Sequence, residues 1–386
     1  MLTFIFTLIG LATSLSTRAV DPLITPIAHE FVVPVTSAAL LSSVYSLAFA
    51  VGQPLFGPLG DHYGKTRMLR VGLWVLVVGG MAVAFSPVFW MLLGFRLLSG
   101  LAAGSVTPVT MAVIGDRYHG PARQLAVGRF LTATLSGQLF GVSLSGLLAV
   151  TIGWRGVFVL MGVVAIFAAI GAMIYLHEEK TERPPPLRFA DVMASYRSVY
   201  RNPKAILCFG TVFLEGIALF GLTPYVGEIL ERGHLGGPAQ AGIVLAGVGV
   251  GGLIFSLTLK YLLPFMSRTT MMAVGGVIAM AGPLVLAMQW QWPMLTVFFT
   301  ITGFGYIMMH NCIQTEVLEL APTARASAYA MHALWFFTGQ AIGPVIFGAG
   351  YHAIGLAMLC VNAAIFGLTG VVISRFFKAH AGFETE

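Results

Sequence analysis

Apolar stretches of about 20 residues, each long enough as a helix to cross a hydrocarbon layer of about 30 Å, recur along nearly the whole chain. Short clusters of charged residues, glycine and proline separate them. Twelve spans are predicted from this pattern: 2–20, 37–58, 68–86, 88–114, 128–151, 156–176, 205–230, 239–263, 270–288, 293–313, 327–350 and 355–376. The first has no Lys or Arg ahead of its apolar run and no small-x-small cleavage pattern before Asp21, so it reads as a membrane helix and not as a signal peptide. The longest polar stretch, His177 to Lys204, divides the chain into a first bundle at 1–177, a linker at 178–204 and a second bundle at 205–386. Pro184-Pro185-Pro186 forbids continuous helix in the linker. Val192, Met193, Tyr196, Val199 and Tyr200 recur at near-helical spacing opposite Arg197 and Arg201. That pattern fits either a short basic amphipathic helix on the inner leaflet or a solvated linker with scattered aromatics.

The two halves read as copies of one another. Gly137-Gln138-Leu139-Phe140-Gly141 with Gly146 returns 202 residues later as Gly339-Gln340-Ala341-Ile342-Gly343 with Gly348. At the same offset Arg123 matches Arg325, Ala126 matches Ala328 and Gly153 matches Gly355. The predicted fold class is therefore an all-α membrane protein with 12 transmembrane helices in two pseudo-symmetric six-helix bundles. A parallel repeat of this kind supports alternating access to a substrate site between the halves near mid-membrane.

Composition changes the picture little: 57% hydrophobic and 9% charged residues are far from a soluble domain. The charge is more informative. With the N-terminus inside, the inner loops and tail hold 17 of the 21 Lys and Arg residues. Both termini are thus predicted to be cytoplasmic, and the net charge of +6 reports topology and not a nucleic-acid surface. Cys208, Cys312 and Cys360 fall in or beside apolar spans, with no disulfide framework or metal spacing.

The turn after the second span reads Gly57-Pro-Leu-Gly60-Asp61-His62-Tyr63-Gly64-Lys65-Thr66-Arg67. Its glycines allow a tight turn with close helix approach, and Asp61 is placed to pair with an inner-face Arg or to face a helix N-terminus. The turn resembles the G-x-x-x-D-R-x-G-R-K pattern of the major facilitator superfamily at Gly57, Asp61, Gly64 and Lys65, with His62 and Thr66 departing from it and Arg67 in reach to restore the charge. Gly94 to Gly100, containing Arg96, resembles that family's fourth-helix signature R-x-x-x-G. Gly128, Gly137, Gly141 and Gly146 meet the fifth-helix pattern of its drug/proton antiporter branch, while Val142 and Ser145 replace a Pro and a Gly. The resemblance spans essentially the full chain. It implies that Asp61 contacts the start of the eleventh helix and an Arg after the fourth, with Arg117 or Arg123 the candidates. It also implies that helices 1, 4, 7 and 10 line the cavity.

Ionisable groups deep in a span are costly and mark function. Glu215, about ten residues and roughly 15 Å into the seventh span, is the leading candidate for a proton or cation site. Arg96, in the fourth span, either neutralises a buried acid such as Glu215, attracts an anionic substrate, or forms a structural ion pair. Arg18 and Asp21, three apart, are placed near the outer interface as anchors. His310, Asn311, His332, Trp335, Tyr45 and Tyr225 are further cavity candidates. Gln138 and Gln340 occupy equivalent places, where they face the cavity or bond a neighbouring helix. Gly137, Gly141, Gly146, Gly339 and Gly343 have the spacing of close helix packing. Glu319 to Arg325 is either an inner-face charge cluster or a solvated loop.

Two classes of function stay open. The first is a secondary transporter of a bacterial inner membrane, working by alternating access in proton-coupled efflux of an amphipathic or small organic solute, or serving as a proton symporter or uniporter for a sugar, amino acid or anionic metabolite. It needs protons, a small-molecule substrate and the lipid bilayer, but no cofactor, metal or nucleic acid, and is expected to be a monomer. The second is a membrane enzyme or receptor. No nucleophile elbow, paired aspartates or phosphate-cradling loop supports it. If Asp61 is a gate latch, Asp61→Asn slows transport in reconstituted vesicles with little loss of folded protein; unchanged kinetics would remove the latch.

Overall fold

The computed structural model describes residues 2–177, 189–320 and 325–381. Thirteen helices follow in chain order, with no strand among the described residues. α1 runs from Leu2 to Phe31 in two pieces, followed by α2 (Val35–Tyr63), α3 (Lys65–Ala84) and α4 (Phe89–Arg117). α5 (120–152) and α6 (154–175) run on through Gly153, the one residue inside Gly120–Tyr175 with non-helical angles, φ 70° and ψ 166°. α7 (Phe189–Tyr200) is the short linker helix. α8 runs from Lys204 to Arg232 in two pieces, then α9 (Pro238–Leu262), α10 (Arg268–Ala287), α11 (Trp292–Glu319), α12 (Arg325–Ile354) and α13 (Ala357–Ala381). Eleven stretches are long and apolar enough to cross a membrane, and the one at Leu125–Tyr175 contains two helices, which gives the twelve expected spans.

The chain divides into two compact units, Met1–Met193 and Ala194–Glu386. Each has its own apolar core. Phe6, Ile9, Leu73, Val106 and Phe130 are among the core residues of the first, and Phe209, Phe255, Met309, Ile313 and Phe366 of the second. The outward faces are apolar as well: Val250, Leu253, Ile254, Leu257 and Tyr261 form an exposed stripe along α9 at helical spacing. A stripe of that size in water would be a liability, whereas in lipid it is the solvated face.

Three features repeat at the 202-residue offset. Gly153 and Gly355 both take positive φ, 70° and 58°, and turn α5 into α6 and α12 into α13, a conformation that a side chain disfavours. Asp21-Pro22-Leu23 and Thr223-Pro224-Tyr225 form 3-10 turns that interrupt α1 and α8. Pro22 and Pro224 lack the N–H that a continuous helix needs there. The third repeat is a helix seam. A Cβ added to Gly137 would stand 2.8 Å from the Leu11 carbonyl of α1, and Gly141 is pressed against the Leu15 carbonyl. In the second unit Gly339 meets the Phe213 carbonyl of α8, and a Cβ on Gly343 would lie 3.0 Å from Gly221. Gly146 is buried on α5.

The structure corrects the first span. α1 does not end near residue 20: after the 3-10 turn it resumes as Ile24–Phe31. Asp21 and Arg18 therefore lie within the bundle, 1% and 3% exposed, and not at an exposed interface as anchors.

Ion pairs close one end of each unit. Lys65 at the start of α3 pairs with Asp116 at the end of α4, Nζ to Oδ2 2.7 Å. Arg268 at the start of α10 pairs with Glu316 and Glu319 at the end of α11, at 3.3 and 3.0 Å. Arg70 donates to the Ala172, Met173 and Leu176 carbonyls, and Arg117 to that of His177, capping the C-terminal end of α6 with positive charge. Arg123 packs beside Gly115 of α4, and Arg67 is exposed. Gly64, with φ 96°, forms the turn between α2 and α3. The Asp61 and Arg325 side chains lie outside the described residues, as do residues 178–188 of the linker.

The seam sets a direct test. Gly141→Ala and Gly339→Ala drive a methyl into backbone and cost about 1–3 kcal/mol. Gly128→Ala and Gly210→Ala meet open space and gain up to about 1 kcal/mol of helix propensity. Thermal unfolding of the four purified variants is expected to split into these two pairs with opposite sign.

Candidate functional site

Gly216 fixes the rotation of α8. A Cβ there would lie 2.9 Å from the Gln340 backbone nitrogen, so this edge of α8 sits against α12. Glu215, one residue and about 100° away around the helix, is turned instead toward α11. Its Oε2 lies 2.8 Å from His310 Nδ1. The carboxylate is fully enclosed, and Oε1 has no hydrogen-bond partner among the described residues.

Aromatic rings surround the imidazole. His310 stands 4.9 Å from the Phe336 ring, 5.1 Å from His332 and 5.5 Å from Tyr306. His332 and Phe336, four residues apart, share one face of α12. Tyr329 stacks on His332 at 6.0 Å, and Phe220 of α8 meets Phe336 edge-on at 5.7 Å. The buried His332 Nε2 has no partner among the described residues. Glu215, His310 and His332 thus form one cluster of ionisable groups in an aromatic wall. It can hold and exchange a proton, and the carboxylate can attract a cation. Among the described residues no three His, Cys, Asp or Glu side chains converge as a metal ion requires.

Two other candidates in this unit, Tyr225 and Trp335, are tied to backbone or to the linker. The Tyr225 hydroxyl donates to the Pro344 carbonyl at 2.9 Å, fastening the 3-10 turn of α8 to α12. Trp335 Nε1 donates to the Tyr200 hydroxyl at 2.8 Å, so its polar edge serves the end of α7. Asn202 Nδ2, just beyond α7, donates to the Leu320 carbonyl at 3.2 Å. Gln340 is buried with Oε1 lacking a partner among the described residues, and Asn311 is half-buried beside His310 in sequence.

In the first unit Arg96 is fully enclosed. Nε donates to the Leu41 carbonyl of α2 at 3.2 Å, and Nη1 to the carbonyl and hydroxyl of Ser16 in α1 at 3.0 and 3.3 Å. The guanidinium lies 4.1 Å over the Tyr45 ring, a cation–π contact. Among the described residues it forms no ion pair, so of the three readings the structural ion pair is not what holds it: two carbonyls, the Ser16 hydroxyl and a ring face do, while the buried Nη2 has no hydrogen-bond partner there. Asp21 accepts from the Ser42 hydroxyl at 2.6 Å and lies 3.7 Å from Arg18 Nη1. The Tyr45 hydroxyl reaches Thr17 at 3.4 Å. These residues brace the interrupted α1 against α2 and α4. Gln138 is half-buried on α5.

Sequence reasoning did not single out Tyr306 and Phe336, or Ser16, Ser42 and Asp116, and named Tyr200 only as part of the linker pattern. Asp116 alone carried a signal: at the 202-residue offset it falls between Glu316 and Glu319, while Lys65 falls beside Arg268. The rest are common apolar or hydroxyl residues within spans.

Comparison with known proteins agrees with this architecture. The chain matches the Major Facilitator Superfamily over residues 6–233 and 208–384. It is 25% identical over 369 residues to an uncharacterized MFS-type transporter, YwfA of Bacillus subtilis, covering 95% of this chain and 89% of the relative. It is 26% identical over 350 residues to a multi-drug resistance efflux pump PmrA homolog of Lactococcus lactis, covering 87% and 84%. A bacterial homolog to the human lysosomal transporter Spinster, solved in an inward-facing and unoccupied conformation, shares the fold with a TM-score of 0.74 at 17% identity, over 99% of this chain and 95% of that one. Twelve apolar spans in two repeated bundles, matched along nearly their whole length, establish that the chain belongs to the Major Facilitator Superfamily and is a membrane transporter, not an enzyme.

Proposed function

We propose that this transporter expels an amphipathic or small organic solute in exchange for protons, by alternating access, with Glu215 as the coupling acid. The observation that carries the reading is the enclosed Glu215 carboxylate, with one oxygen on His310 and the other without a partner among the described residues. An acid in that setting has two stable states. Protonated, it is neutral and tolerates the apolar surroundings; deprotonated, it needs a cation beside it. Mutual exclusion between proton and cation at one carboxylate is the elementary requirement for exchange. The rings of Phe220, Tyr306 and Phe336 suit the apolar and aromatic parts of such a solute. The efflux pump named among the relatives supports export as the direction. The proton gradient would supply the energy, both termini would be cytoplasmic, and the protein would act as a monomer in a bacterial inner membrane.

Arg96 contributes to this reading by what its donors already hold. Nε and Nη1 are bound to the Leu41 and Ser16 carbonyls and Tyr45 covers the face, which suits bracing, and the buried Nη2, without a partner among the described residues, is the one nitrogen left for an anion.

Proteoliposomes under an imposed pH gradient test the proposal, with tetraphenylphosphonium and ethidium as probes. Wild type is expected to drive both cations against their gradients, and Glu215→Gln to lose at least 90% of that flux. Equal flux in both proteins would exclude Glu215 from coupling. Flux of neither cation in wild type would overturn cation export and direct the search to sugars, amino acids and anions, with Arg96 the next residue to change.

A further inference from the structure

We propose that His310 is the relay through which protons reach and leave Glu215, and not only a hydrogen-bond partner that holds the carboxylate in place. The inference rests on the reading of Glu215 as the coupling acid and adds the route of the proton.

The geometry of the pair carries it. Glu215 is 0% exposed through its side chain, while His310, in contact with it at 2.8 Å, is 14% exposed. A proton bound for Oε2 therefore meets the imidazole first. Nδ1 faces the carboxylate, which leaves Nε2 as the ring nitrogen directed elsewhere. The ring connects two places that the carboxylate alone does not.

The step balances without any redox partner. A water-borne proton binds His310 Nε2 and forms an N–H bond there. The N–H bond at Nδ1 breaks as its proton moves to Glu215 Oε2, where an O–H bond forms. The carboxylate becomes a neutral acid and the imidazole is left neutral in its other tautomer. Release runs the same path backwards. A glutamine in place of His310 would keep a donor for the carboxylate, but an amide does not pass a proton from one side to the other in this way.

The surroundings favour a single carrier. Among the described residues the titratable groups packed near the pair are Tyr306 and Cys312 on α11 and Tyr329 and His332 on α12. From α13 the polar side chain that reaches α8 is the Asn362 amide, on the Ala218 carbonyl at 2.7 Å. Of these only His332 carries a second imidazole, and its ring lies 5.1 Å from His310. Two imidazolium charges at that spacing repel, so one ring at a time carries the extra proton. His332, enclosed and stacked on Tyr329, serves as the neutral wall against which His310 is held.

Infrared spectroscopy after a pH jump, on the full-length protein in lipid, reads the relay without needing a substrate. The Glu215 carboxylic acid band is identified by its loss in Glu215→Gln. In wild type with isotope-labelled histidine, an imidazole ring band is expected to change before or with the carboxyl band. In His310→Gln the carboxyl band is expected to reach its final amplitude at least tenfold more slowly. Equal carboxyl rates in the two proteins would overturn the relay. If His310→Gln does not fold, the wild-type experiment decides alone: a carboxyl change with no imidazole change overturns the relay, and a change in both supports it. The relay and the transport reading fail separately. A slow carboxyl in His310→Gln, with cation flux that Glu215→Gln leaves intact, would keep the relay and remove the coupling role.

Discussion

Close backbone contact at glycine is the constraint on which the rest of this molecule depends. In lipid there is no gain from hiding apolar side chains from the surrounding solvent, so two helices associate through dispersion and close fit. Gly137 and Gly141 let α5 approach α1, and Gly216, Gly339 and Gly343 let α8 approach α12. These contacts determine the rotation of each helix, not only its neighbours. With Gly216 on α12, Glu215 has one direction left, toward α11. The position of the acid is thus a consequence of the seam, and His310 is where that direction ends.

The repeat is kept in the scaffold and abandoned in the chemistry. Pro22 and Pro224, Gly153 and Gly355, and Gly141 and Gly343 stand at equal offset and do equal work. At the same offset Glu215 corresponds to Thr13, whose hydroxyl returns to its own helix at the Ile9 carbonyl, and Arg96 to Phe298. One unit buries a positive charge among carbonyls and a tyrosine ring, and the other buries an acid beside an imidazole. Symmetry suits packing because both bundles solve the same problem in lipid. It is not required by the proposed coupling, for which one acid with one proton path would be sufficient.

Much of the fold was legible in the sequence because hydropathy and length are enough to count spans, and because Gly153 marked the turn between two of them. The reading failed where charge was taken for an end. Arg18 and Asp21 look like the edge of a membrane helix, yet Ser42 satisfies Asp21, and α1 continues past a proline-induced break. The candidate site was legible in its parts and not in its connections. Glu215, His310 and His332 stand out as ionisable residues in apolar spans, but which of them touch depends on helix rotation, and spacing within one helix does not report contacts between two. Trp335 shows the converse: an aromatic residue beside the cluster in sequence turns its N–H to Tyr200, on a segment whose fold the polar linker left undecided.

The separation of packing from chemistry has a physical consequence for the acid itself. A buried carboxyl with an oxygen lacking a partner among the described residues is a local cost, of the order of a few kcal/mol for an unsatisfied polar group. The seam residues that hold α8 in place are backbone atoms and glycines, none of which depends on the protonation of Glu215. The bundle can therefore carry the cost in either protonation state without a change in which helices touch. The 3-10 turns work in the same direction. Tyr225 ties the break in α8 to the Pro344 carbonyl, so that the broken segment is fastened to α12 at a point remote in sequence from Glu215. On the proposed reading, a proton or a cation at such a site would change local charge while the surrounding helices keep their contacts, so that the unit would move as a rigid body.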